Sequence, residues 1–236
     1  MRHESVLAAL EKHAKDGTAR IYRRHGARDP VLGVSYAAMK TLLKRLGTDH
    51  DLARALWKTG VHEARVVATK VADPARLSRA EVERWLDGVS DYIVADALSG
   101  LVARVPDGLA WASEWIESEA EFVSAAGWNV LNVRALEGGL SEAEAKRLLA
   151  RIKKGIKRAP NRTRYAMNGA LIGIGGAMPA LSEQAVSVAR AIGQVEVDHG
   201  ETSCKTPDAE SYIARMRERA AKRTRVTGAR MKAARG

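Results

Sequence analysis

Cysteine occurs once in these 236 residues, phenylalanine once and proline six times. A lone Cys204 cannot close an internal disulfide and fits a reducing compartment, so the expected location is cytoplasmic. No apolar run approaches the roughly 20 residues that a membrane-spanning helix needs. The longest weakly polar stretch, 169–181, carries four glycines and a proline and reads as a buried helix. Residues 1–15 lack the unbroken apolar segment of a secretory signal. Alternation of apolar and polar residues is nowhere long enough for a sheet. Aromatic residues make up 5% of the chain and apolar ones 46%, with alanine abundant. Helices pack closely through alanine, whereas sandwiches and barrels draw on aromatic and β-branched side chains. The sequence is therefore expected to be all-α.

What is present is a series of short helical patterns separated by brief breaks. Helices are expected at 4–15, 35–46, 49–58, 62–71, 78–86, 91–105, 107–117, 119–136, 141–157, 162–175, 182–192 and 207–221. Ser78 before Glu81, Ser141 before Glu144 and Ser182 before Gln184 are candidate caps. Pro106 and Pro207 sit where a missing N–H costs little. Glycines 17, 47, 60, 88, 138 and 139 punctuate helix ends. Residues 1–221 read as one helical domain, and 222–236 as a basic, disordered tail with no apolar face.

A repeat is visible in the series. Trp57-Lys-Thr-Gly-Val-His-Glu63-Ala-Arg-Val-Val-Ala68 matches Trp115-Ile-Glu-Ser-Glu-Ala-Glu121-Phe-Val-Ser-Ala-Ala126. In both, a helix ends at tryptophan, small residues turn the chain, and glutamate opens the next helix. Stacked hairpins of this kind form an α-solenoid, whose concave face can take a duplex.

The net charge is +11, and it is unevenly spread. Nine basic residues and no acid lie within 146–164, and nine basic against two acidic within 210–236. Helical spacing sets Arg151, Lys154 and Arg158 along one stripe, with Lys153 and Lys157 beside it. Arg162 and Arg164 extend the block. Phosphate neutralisation is the usual physical reason for such a stripe, so double-stranded DNA is the expected partner, bound by a monomer. No membrane or small-molecule cofactor is expected.

The segments Leu56-Trp-Lys-Thr-Gly-Val-His-Glu-Ala-Arg65, Asp91-Tyr-Ile-Val-Ala-Asp-Ala-Leu-Ser-Gly100, Trp115-Ile-Glu-Ser118 and Leu32-Gly-Val-Ser-Tyr-Ala-Ala-Met-Lys40 resemble the HEAT-like-repeat DNA alkylation-repair proteins of the AlkD type. The resemblance implies a superhelix with duplex DNA in a basic concave groove. It also implies glycosylase chemistry on cationic N3- and N7-alkylated purines. On that likeness Asp96 corresponds to the essential carboxylate and Tyr92 to its aromatic partner. The family's arginine falls at or near Ala125 and its second tryptophan near Gly169, so both are missing here. Trp128, one turn beyond Ala125, reads as a core residue. An alkylated purine is already a good leaving group, so the protein must stabilise an oxocarbenium-like sugar and hold a water. A carboxylate can do both, and aromatic faces attract the cationic base.

Two readings of function stay open: a glycosylase using Asp96 with Tyr92, and a DNA-binding or protein-interaction scaffold without catalysis. The polar link holding Asp198, His199, Glu201, Cys204 and Asp208 lacks paired metal-ligand spacing. It reads as an ordered loop in which Asp198 or Thr206 caps a helix, and no metal is expected. His3, His13, His25, His50 and His62 are scattered singly and read as surface residues. Far-UV circular dichroism should show dominant helix. Strand content above roughly a tenth of the chain, well under the ordinary globular share, would contradict the all-α reading.

Overall fold

Several helices begin where a side-chain oxygen can take up the first free amides. The computed structural model describes residues 2–28 and 30–233, with side chains through 223. In it Ser35 accepts from Ala38 N, Asp49 from Leu52 N and Ser78 from Glu81 N. Ser141 and Glu144 close a reciprocal capping box. Among the described residues the chain forms helices α1 (His3–Glu11), α2 (Asp16–Arg24), α3 (Tyr36–Leu43), α4 (His50–Lys58), α5 (His62–Val71), α6 (Arg79–Asp87) and α7 (Tyr92–Val102). There follow α8 (Gly108–Trp115), α9 (Glu121–Leu136), α10 (Glu142–Gly155), α11 (Asn161–Ala177), α12 (Ser182–Ile192) and α13 (Ala209–Ala233). Short 3-10 turns lie at Pro74–Arg76, Ile156–Arg158 and Pro179–Leu181. No strand occurs among the described residues, and the class is all-α.

Four expectations need correction. Helix α2 was not expected, because Gly17 reads as a stop; instead it lies in the first turn of a short basic helix. Tertiary contact sustains that helix: Ala19 and Tyr22 are buried in a cluster with Ala27 and Val31. Ser182 is not a cap but the first residue of α12, and its buried hydroxyl has no hydrogen-bond partner. The cap before the last helix is Asp208, whose carboxylate accepts from Ser211 N, while Asp198 closes a turn on Gly200 N. Finally, 222–233, read as disordered tail, continue α13 as helical backbone. Alanine, arginine and lysine are strong helix formers, and the i,i+4 pair of Glu218 with Lys222 adds to them. Residues 234–236 of that expected tail lie outside the described residues.

Contacts group the chain into two compact units, where the sequence reading has one domain over 1–221. Unit one comprises Met1–Val130 with Asp198–Lys205, and unit two Leu131–Val197 with Thr206–Gly236. In unit one α4 packs on α5, and α5 on α3 and α7. Its core holds Leu56, Ala64, Val67, Leu98, Leu101, Ala112 and Trp128. Trp57 and Trp85 stack with centroids 4.3 Å apart and planes 6° apart. The two repeat copies are the hairpins α4–α5 and α8–α9. In unit two α11 packs on α12 and α13. Gly175 allows that approach, since a Cβ there would stand 2.6 Å from Ile213 Cδ1 and 2.8 Å from Ala185 Cβ.

The start of α5 fixes unit one most firmly. Glu63 is 0% exposed, and its carboxylate accepts from three consecutive amides: Leu32 N at 3.0 Å, Gly33 N at 2.6 Å and Val34 N at 3.0 Å. Gly33 stands at φ +81°, and a Cβ there would fall 2.1 Å from Lys15 O, so only glycine fits. The Tyr22 hydroxyl donates to Val34 O at 2.8 Å. Burial first, then the charge of Glu63, pushes its pKa up to about 12, so it remains a donor. Farther along, burial opposes ionisation of Glu81, but Arg54 and His50 outweigh it and hold the carboxyl below its ordinary range.

Glu63→Gln keeps the shape but turns an amide NH2 toward backbone donors. It should cost on the order of 3 kcal/mol, read as a lower urea midpoint at unchanged slope. Glu142→Gln, at an exposed i,i+4 pair, should stay within about 0.5 kcal/mol of the parent.

Candidate nucleic-acid interface and acidic site

Asp91 aims the helix that carries Asp96. Its Oδ1 accepts from Ile93 N at 2.9 Å and Val94 N at 3.1 Å, capping α7. Its Oδ2 stands 3.3 Å from His62 Nδ1 without hydrogen-bond geometry. One turn into α7, Asp96 is exposed while its neighbours Ala95 and Ala97 are buried. Asn129 of α9 donates from Nδ2 to Asp96 Oδ1 at 2.7 Å.

Tyr92 and Asp96, four residues apart, share a face of α7. The Tyr92 hydroxyl is hydrogen-bonded to His25 Nδ1, and the two rings meet edge to face at 5.3 Å and 89°. Of the histidines expected on the surface, His50 and His62 are instead buried, and His25 is a partner of a predicted site residue. It was missed because it closes α2, the helix that was not foreseen. Tyr36, the first residue of α3, is 53% exposed. Partial burial, then the charge of Asp96 and of Asp91, raises its hydroxyl pKa above the ordinary tyrosine value. Tyr36 is thus an exposed aromatic group within electrostatic reach of Asp96. Its sequence signals are its place just after the capping Ser35 and within the family-like segment 32–40.

Ala125, at or near the position of the family's arginine, is 4% exposed, so an arginine there would enter the core. The α9 residue that reaches Asp96 is Asn129, one turn farther on. Trp128, at 1% exposure, is a core residue. The candidate acidic site therefore comprises an exposed carboxylate tethered by an amide and a tyrosine held by a histidine, with the exposed Tyr36 within electrostatic reach.

The basic face belongs to unit two. Lys153 and Lys154 end α10, and Lys157 and Arg158 lie in the 3-10 turn after it; all four are exposed. Ile152 and Ile156 alternate with them and are buried, which turns the cations outward. Arg162 and Arg164, in the first turn of α11, are half-buried. Arg164 is already committed: it donates to Glu196 O at 2.9 Å and Ala159 O at 3.0 Å. It braces the rim of a cleft of about 300 Å³ that also includes Lys157, Ile192 and Val195. The structure thus brings four of the six expected cations onto an open surface and assigns Arg164 a bracing role.

Thr202 Oγ1 donates to His199 O and accepts from Cys204 N. No cluster of three metal-ligating side chains occurs among the described residues, and no described helix is long and apolar enough to cross a membrane.

Comparison with known proteins agrees with the all-helical fold. A solved structure, from a new family of proteins related to the HEAT-like repeat DNA glycosylases with affinity for branched DNA structures, matches with a TM-score of 0.86 at 30% identity. The match covers 93% of this chain and 95% of that one, and the fold is accordingly of the HEAT-like helical type. The uncharacterized protein Lin0241 of Listeria innocua is 32% identical over 92% of this chain and 96% of its own length. Lmo0209 of Listeria monocytogenes, also uncharacterized, is 31% identical over the same shares. The family model described as DNA alkylation repair enzyme matches residues 6–213. The chain belongs to the DNA alkylation repair enzyme family.

Proposed function

We propose that this protein binds DNA through the face formed by Lys153, Lys154, Lys157 and Arg158, and that Asp96, Tyr92 and Tyr36 meet a distorted or alkylated nucleotide. The observation that carries the reading is the exposure of those four cations in a segment that holds nine basic residues and no acid. Clustered cations cost self-repulsion that bound phosphate relieves. The affinity of the solved neighbour for branched DNA supports a fork or junction as the preferred form.

A second reading, excision of cationic alkylpurines, is favoured by the exposed Asp96 carboxylate near two tyrosines. Asp96 would stabilise positive charge developing on the sugar and orient a water, while the ring faces attract the charged base. Against it stand the hydrogen bond from Asn129, which engages one carboxylate oxygen, and the lack of an arginine at Ala125. Binding without rapid base release is the better-supported function.

Duplex affinity should fall steeply with salt, and replacing Lys153, Lys154 and Lys157 by Gln should flatten the log–log slope by about 2 to 3 units. An unchanged slope would remove this face from the interface. In single-turnover assays on alkylated duplex, the binding reading predicts negligible release of 7-methylguanine. Release that falls about a hundredfold in Asp96→Asn, on the order of 3 kcal/mol, would establish the second reading in its place.

A further inference from the structure

Unit two carries another surface that the basic face does not use. Near the C-terminal end of α11 an open groove of about 700 Å³ runs beside α13. Its floor includes Ala177 and Met216, along with Leu136 at the end of α9. Met216 is half-buried against Gly176, where a Cβ would stand 2.6 Å from its sulfur. Leu136 is 48% exposed and adds apolar surface to the groove. The rim is cationic: Arg219, Lys222 and Arg223 line it and are exposed. Lys222 pairs with Glu218 at 2.6 Å across open solvent, a contact weak enough to exchange for phosphate. After Glu218 the chain has seven basic residues and no acid.

We infer that this groove binds unpaired DNA, with bases on the Leu136–Met216 floor and phosphates on the Arg219–Arg223 rim. The inference rests on the DNA-binding reading and adds a second, chemically different contact to it. A paired duplex offers phosphates but hides its base faces in the stack. A cationic rim alone would suit a duplex, and an apolar floor alone would suit a protein helix. The two side by side suit a strand that exposes both charge and flat apolar surface, as the unpaired nucleotides of a fork or junction do. The basic face of α10 has exposed cations interleaved with buried isoleucines, and the cleft beside Lys157, at about 300 Å³, is less than half the volume of this groove.

The test measures fluorescence anisotropy of the full chain with three probes: oligothymidylate, a blunt duplex, and a fork with unpaired arms. Leu136→Ser removes floor at an exposed site without changing charge, and Arg219→Gln with Lys222→Gln removes rim charge. Each should weaken oligothymidylate and fork binding about fivefold or more, and blunt-duplex binding less than about twofold. Replacing Lys153, Lys154 and Lys157 should show the opposite preference, so failure of that set counts against the duplex face and not against the groove. Unchanged oligothymidylate binding in both groove variants overturns the inference. So does an equal loss on all three probes, or a groove-dependent affinity for an acidic peptide but not for the oligonucleotide.

Discussion

The acidic site depends on a carboxylate that never meets solvent. Glu63 opens α5 and holds the amides of residues 32–34, which stand just ahead of α3 and so set where Tyr36 emerges. Its neighbour His62 donates its amide to Pro30 O at 3.0 Å and abuts Asp91, the cap of α7. Two adjacent residues at one helix start therefore fix the elements that deliver Tyr36, Tyr92 and Asp96. A buried charge tolerates little displacement of its partners, which makes this a rigid mounting for an exposed site.

The ionisable groups divide by what surrounds them. Glu63, Glu81 and Asp91 are buried and spend their charge on amides, Arg54 or a facing histidine. Asp96 is exposed and bonded to the neutral amide of Asn129, so its charge faces no cation across that contact. Among the basic residues, Arg54 and Arg164 are bound to protein groups. Lys153, Lys154, Lys157 and Arg158 point outward. The proposed DNA contact draws on these four exposed cations, and Asp96, though held by Asn129, keeps an exposed carboxylate.

Much of this was legible beforehand. All-α class, twelve of the helices and the Ser141 capping box follow from apolar spacing and cap chemistry, which are local. The repeat at Trp57 and Trp115 identified two hairpins. Helix α2 was not legible, because a nine-residue basic segment containing Gly17 has weak local preference and is fixed by Tyr22 in the core. His25 went with it. The commitment of Arg164 to two carbonyls depends on where the chain returns at residue 196, and no spacing rule shows that. Ala125 as a buried position, with Asn129 as the residue facing Asp96, needed the rotation of α9. Sequence likeness identified the helix but not the face.

Hydrogen–deuterium exchange of the full chain, with and without a forked duplex, tests the central claim most directly. Binding as described predicts slowed exchange at the end of α10 through the following turn, 153–158, and around the start of α7, 92–96. Protection confined to other helices, or none at DNA concentrations that saturate binding, would contradict it.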